Sequence, residues 1–387
     1  MKKLLYFLLA PFLAVGLAML LATCKTDHGG GGGDDDTGPA PGWHIYTVDS
    51  HGEVGFYHSL AMDSNNKTHI SYFDCGEYLD NGDCSRGHLK YATNASGVWE
   101  TFTIDSTPNV GQWISIAIDS NDKVHISYQD YGIRNLKYAD NVSGTWQIST
   151  IDPSDWAGYC TSMTIDSNNG VHIAYIGDDS IKYAANASGT WQILTIEGPG
   201  AAGDYPSIAI DSKNKEHISY HVGDPQFDLK YATNRTGAWQ TFTIDSAGDV
   251  GLFSSIRVDS NDNAHISYIY NYEPYPDNVN SDLKYATDAS GAWQTFTVDN
   301  SGDVGWWATS LAIDSKNEIY IAYTKTARDG LKYASENAGG WQIFTIINDS
   351  QDPDSPSMAL DSNDKMHIAY FEMNQDDLKY ATNAEGE

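Results

Sequence analysis

Aromatic rings set among carboxylates are the chemistry this chain offers most often. Four of its eleven tryptophans, Trp113, Trp156, Trp306 and Trp307, stand outside any regular pattern. Tyr57, Tyr159, Tyr205 and Phe253 fall at similar places along the chain. Flat rings beside acids suit the stacking of sugar rings or of peptide side chains. A plain packing role, closing the top of a core, is the competing reading. Two longer segments add to the supply. One runs Tyr270-Asn-Tyr272-Glu-Pro-Tyr275-Pro-Asp277 and is stiffened by its prolines; the other, residues 74–88, carries Cys75 and Cys84. Tyrosine gives large contact area at low entropic cost, as recognition loops require.

Charged candidates are more scattered. Of the few arginines, Arg134 and Arg328 (with Arg86) sit in variable segments, and Arg257 replaces an alanine or threonine found at the matching place elsewhere. Together they offer an anion site, against the simpler reading of chance placement on exposed loops. A glycosidase needs two suitably spaced carboxylates. Asp74, Asp130, Asp178, Asp179, Asp224 and Glu372 supply more candidates than the sequence can sort. No nucleophile elbow, HExxH, phosphate loop or CxxC pair is present. His69, His125, His172, His217, His265 and His367 recur once per repeat, with Tyr320 in the remaining place. Such histidines diverge around a ring, so they read as satisfied structural groups and not as one metal site.

What must position these residues is a repeat. A block such as Ser115-Ile-Ala-Ile-Asp-Ser-Asn-Asp-Lys-Val-His-Ile-Ser-Tyr128 occurs seven times, its Asp at Asp63, Asp119, Asp166, Asp211, Asp259, Asp314 and Asp361. Leu-Lys-Tyr-Ala or a relative follows each copy, and a tryptophan opens a third piece at Trp43, Trp99, Trp146, Trp191, Trp239, Trp293 and Trp341. A repeat of this length, read as one supersecondary unit, decides the fold before anything else does. Each copy reads as four short strands, A to D, rich in β-branched and aromatic residues and bounded by Asn, Asp, Gly and Ser. The expected fold is all-β: a seven-bladed β-propeller of four antiparallel strands per blade. The blades are placed at about 59–105, 115–152, 162–197, 207–246, 255–299, 310–347 and 357–382 plus 43–49. The chain begins with a lone strand D and ends with a lone A-B-C set, so both ends complete one blade. Antiparallel order puts the A–B and C–D turns on one face and the variable B–C and D–A connections on the other. The seven tryptophans read as blade-to-blade packing.

The 387 residues include 52 acids against 22 bases, a net charge of −30. Such a surface repels phosphate backbones, which excludes nucleic acid as a partner. The Asp-Ser-Asn-Asp-Asn263 turn and its relatives echo the opening of a Ca2+ loop but lack its later ligands. No cofactor is expected, and Ca2+ is the one these turns would admit. Residues 1–24, Lys2 and Lys3 followed by an apolar run, read as an export signal. Leu21-Ala22-Thr23-Cys24 resembles a bacterial lipobox, which would lipidate Cys24, and departs from it at Thr23. An uncleaved membrane anchor is the alternative. Residues 25–42, with five consecutive glycines, read as a flexible tether, and 43–387 as the propeller. Outside the cytoplasm, Cys75 and Cys84 are expected to form a disulfide and Cys160 to be a buried small residue.

Ser143-Gly-Thr-Trp146 and Ser188-Gly-Thr-Trp191, at the turn into strand D, resemble the Asp-box (BNR) hairpin of sialidase-type propellers. Asn141 and Asn186 take the Asp position, and the glycine lies one residue closer to the tryptophan. The A–B turns are similar to those of exported NHL-type propellers. The resemblance implies a seven-bladed propeller and little about activity. The whole sequence therefore reads as an exported, surface-tethered propeller, in contact with a membrane only through its N-terminus. It would bind glycan or a surface protein through the D–A/B–C face. A glycoside hydrolase, sialidase-like enzyme or lyase on that face is the second reading, and a structural assembly partner the third.

Overall fold

The computed structural model describes residues 39–385 except 77–83, 85, 200–202, 272–280, 303, 326–329, 338 and 349–351. Its 28 strands form seven four-stranded antiparallel sheets. In the first blade the strands are Glu53–Met62, Thr68–Gly76, His88–Thr93 and Glu100–Asp105. The seventh blade joins both ends of the chain: strand His44–Asp49 pairs antiparallel with Asp377–Thr382, Tyr46 opposite Tyr380. The ring closes as the order of the repeat pieces requires.

Why the sequence folds this way is visible in one turn and one strand pair. In the first A–B turn Asp63 accepts the backbone N–H groups of Asn65 and Lys67 on one oxygen, each at 2.8 Å. Its other oxygen faces His69 Nε2 at 3.4 Å. The carboxylate thus substitutes for backbone partners in a tight turn, which supports the reading of these segments as turns. Strand B then carries Ile70 and Tyr72 into the core, both fully buried.

Three closed circuits tie blade to blade. Each repeat tryptophan packs on the strand C tyrosine of the blade before it, Trp146 on Tyr91 at 5.4 Å and Trp99 on Tyr380 at 5.1 Å across the ring closure. Six of the seven are edge-to-face contacts, the geometry favoured by aromatic quadrupoles, and Trp43 on Tyr333 is tilted. On the channel edge, the strand A serine of each blade accepts a backbone N–H of the next. Ile116 donates to Ser59, and the circuit closes where Leu60 donates to Ser357 at 3.0 Å. On the repetitive face, Ser64 N–H donates to Asp122 of the next turn at 2.9 Å, and Ser362 N–H closes that circuit on Asn66 at 3.0 Å.

A buried ion pair recurs beneath the opposite face. Asp49 accepts from Tyr72 at 2.6 Å and from Lys90 Nζ at 2.7 Å, and Asp105 serves Tyr128 and Lys137 in the same way. Burial works to raise the Asp49 pKa, but the bonds from Lys90 and Tyr72 hold it below the ordinary carboxylate range. The seventh blade follows Ile347 instead of an acid, and its Lys379 turns to Glu372 and Asp377, each at 2.9 Å.

Strand A reaches further than the hydrophobic alternation suggests. It starts at Glu53 and not Ser59 in the first blade, and at Val110 and not Ser115 in the second. A register shift before the strand A serine hides this extension from a period-two reading, because each extra residue reverses the inside–outside pattern.

Candidate ligand-binding face

That register shift builds the site. Tyr57, Trp113, Cys160, Tyr205, Phe253 and Ser355 occupy the same place in six blades, each two residues before the strand A serine. Their φ angles lie between 50° and 55°. Left-handed backbone is uncommon for side-chain-bearing residues and persists only where surroundings hold it. Here the next blade holds it. Thr161 Oγ1 donates to the Trp113 carbonyl at 2.6 Å, and Thr309 Oγ1 to that of Phe253 at 2.9 Å.

Four of the bulged residues, with Tyr159 beside the bulged Cys160, bring rings together across blade boundaries. Tyr57 and Trp113 have centroids 4.7 Å apart, Trp113 and Tyr159 4.5 Å, and Tyr205 and Phe253 4.2 Å. Five of the expected rim aromatics therefore form an arc over blades one to five. All five are half-buried, so part of the packing role weighed against a binding role is real. They belong to strand A and not to a D–A loop, the correction that the bulge imposes. Burial pushes the Tyr57 and Tyr159 hydroxyls up, so both stay neutral donors.

Trp156 does lie in a D–A connection, with 45% of its surface exposed. Arg134, from a B–C loop, places its guanidinium 3.9 Å from the Trp156 ring centroid and 3.9 Å from Asp155. The two were separate expectations in the sequence and form one exposed cation–π unit. Two other arginines take partners of their own. Arg235 pairs with Asp288 at 2.8 Å, and Arg257 turns back to the Ile256 carbonyl at 2.8 Å. Trp306 and Trp307 fall in strand Val304–Ile313, but their side chains lie outside the described residues, as do Tyr272, Tyr275, Arg328 and Cys24. Cys75 and Cys84 form a disulfide, and Cys160 is free and buried.

The strand B histidines are structural. His125 Nδ1 meets Tyr138 Oη at 2.5 Å while Nε2 faces Asp119 at 3.6 Å, and His217 repeats this with Tyr231 and Asp211. Burial lowers the His217 pKa to about 4, with Arg235 adding to the shift and Asp211 opposing it.

Two features of the face were not legible beforehand. Asp204 and Asp354 stand at matching places in blades four and seven. Burial raises both, Asp354 to about 7, although the Ser355 N–H donates to it at 2.7 Å. The second is a cavity of about 360 Å3 between blades four and five, lined by Gln226, Phe227, Ser246, Asp249, Tyr270 and Asn271. Tyr270 was expected on this face; the others were not. Asp249 lies opposite Asn271 in the strand pair, and His221 Nε2 holds its Oδ1 at 3.1 Å. The signal available in the sequence was His221 itself. Phe73, Gln129, Ile176, Ile269, Thr324 and Phe371 take its place in the other blades.

No family model matches the chain, and no curated protein matches it. Its fold is similar to that of several solved structures. An ulvan lyase of polysaccharide lyase family PL25, bound to -[GlcA(1-4)Rha3S]-, is 12% identical with a TM-score of 0.57, covering 87% of this chain and 95% of that one. AofleA from Arthrobotrys oligospora is 14% identical with a TM-score of 0.53, covering 79% of this chain and 89% of that one. The GH93 α-L-arabinofuranosidase of Fusarium graminearum, in complex with arabinobiose, is 12% identical with a TM-score of 0.50, covering 71% and 92%. At these identities the likeness establishes the β-propeller fold.

Proposed function

We propose that this chain is an exported, surface-tethered propeller that binds glycan across its D–A/B–C face. The observation that carries the reading is the arc of five rings, Tyr57 to Phe253, continued on the same face by the exposed Trp156–Arg134 unit. Half-buried rings, tilted against one another and flanked by carboxylates, match the apolar and the hydroxyl-bearing faces of a pyranose. That propellers of similar fold include proteins bound to an oligosaccharide of GlcA and Rha3S and to arabinobiose supports a sugar ligand. Cys24 is the residue that lipidation would use to hold the domain at a surface.

The test is an array of neutral and acidic glycans probed with the full chain and with Trp156→Ala, a position exposed enough to spare the fold. Binding that falls at least tenfold in the variant supports the rim. A folded protein that binds no glycan overturns the reading and favours a surface protein as partner. One observation favours an enzyme instead: Asp204 and Asp354 are both held above the ordinary carboxylate range, as general acids are. Cleavage of an array hit that stops in Asp354→Asn would establish that second reading.

A further inference from the structure

The cavity between blades four and five is built differently from the rim. Its floor is a carboxylate beside an amide, Asp249 opposite Asn271, and Asn271 is buried. His221 occupies one oxygen of Asp249 and fixes its direction, while Oδ2 has no partner among the described residues. Phe227 and Tyr270 supply aromatic walls, and Gln226 and Ser246 stand exposed at the mouth. Gly248 is part of the construction. Its φ is +104°, and a β-carbon there would fall 2.7 Å from the Tyr270 ring. The wall can stand where it does only because residue 248 has no side chain.

We propose that this cavity is a subsite for a single neutral sugar residue, separate from the aromatic rim; the inference rests on the glycan-binding reading and specifies it. A carboxylate with a free oxygen accepts hydroxyl protons. Rings on either side cover the carbon face of a pyranose. At about 360 Å3 the space lies at the small end of ligand pockets, the scale of one or two sugar rings. Charge selects among sugars. No lysine or arginine lines the cavity among the described residues. Lys284, 5.5 Å from the Tyr270 centroid, is committed to Asp245 at 2.5 Å. Asp249 therefore repels a uronate or a sulfate ester, and no described lysine or arginine lining the cavity offsets that repulsion. The site also occurs once. Only the fourth blade has a histidine after its strand B tyrosine, so only Asp249 can be held in this way, and the expected stoichiometry is one ligand per chain.

The experiment is a calorimetric titration of the full chain with methyl glycosides of neutral hexoses, deoxyhexoses and pentoses, and with methyl glucuronoside. Asp249→Asn and Ser246→Trp are titrated in parallel. The serine is exposed, so its replacement obstructs the mouth without entering the core and remains informative if Asp249→Asn misfolds. A neutral glycoside binding one to one, at least tenfold more weakly in Asp249→Asn and not at all in Ser246→Trp, supports the proposal. Absence of any neutral ligand, tighter binding of the glucuronoside, or indifference to Ser246→Trp overturns it. The two readings separate cleanly. Array binding that falls in Trp156→Ala but not in Ser246→Trp leaves the rim and removes the subsite. Monosaccharide binding lost in Ser246→Trp, with an array indifferent to Trp156→Ala, keeps the subsite and removes the rim.

Discussion

Acid should weaken this fold through its buried histidines, and His217 allows the size to be worked out. Its side chain is wholly buried, one ring nitrogen on Tyr231 and the other facing Asp211 at 3.5 Å. Burial holds its pKa at about 4 in the folded state, against 6.5 when free. Between those values the unfolded chain binds a proton that the folded chain refuses, so stability rises with pH there. The contribution is complete above pH 6.5 and is lost as pH falls from 6.5 towards 4. A shift of that size corresponds to about 3 kcal/mol, delivered at up to about 1.4 kcal/mol per pH unit. His69, His125 and His265 are shifted in the same direction by burial. Asp354, raised by burial to about 7, works the other way: it favours the folded state as pH falls from 7 towards 3.8. The net slope is thus a difference between opposing groups, and a substitution isolates one of them. Urea unfolding of the chain and of His217→Gln at pH 7.5, 6.5, 5.5 and 4.5 is the assay. The gap between the two stabilities should shrink by about 2.5 kcal/mol on going from pH 7.5 to pH 4.5. A gap that stays constant across the series would refute the reasoning.

Two further outcomes follow from the docking of blade on blade. Gly111 has a φ of +95°, and a β-carbon there would meet the Leu89 Cα of the preceding blade at 2.8 Å, whereas Gly144, at φ +87°, has nothing within 4 Å. Gly111→Ala should cost at least ~3 kcal/mol and Gly144→Ala about 1, compared by thermal unfolding; equal shifts would contradict the close approach. Trp146→Ala removes the half-buried ring that packs on Tyr91, and a loss of about 2 kcal/mol is expected by urea unfolding. An unchanged midpoint would mean that the contact adds nothing to the interface.

The seven-bladed ring, its four-stranded blades and the closure by strand His44–Asp49 were legible in the sequence, because a repeat writes the same local instructions many times. Asp63 and its six counterparts mark turns, the strand B histidines mark blade interiors, and the repeat tryptophans mark interfaces. Each is an interaction within a blade or between neighbouring blades. The arc of rings was half legible. The aromatic at six of the seven blade entrances was visible, but its place at a bulge of strand A was not. A register shift leaves no trace in hydrophobic alternation once it has reversed it. The meeting of Arg134 with Trp156, and of His221 with Asp249, depends on how far apart two blades place two unrelated loops. That distance is set by packing around the axis. Spacing along the chain determined what each blade is; only the closed ring decided which departures from the repeat touch one another, and so where a ligand can sit.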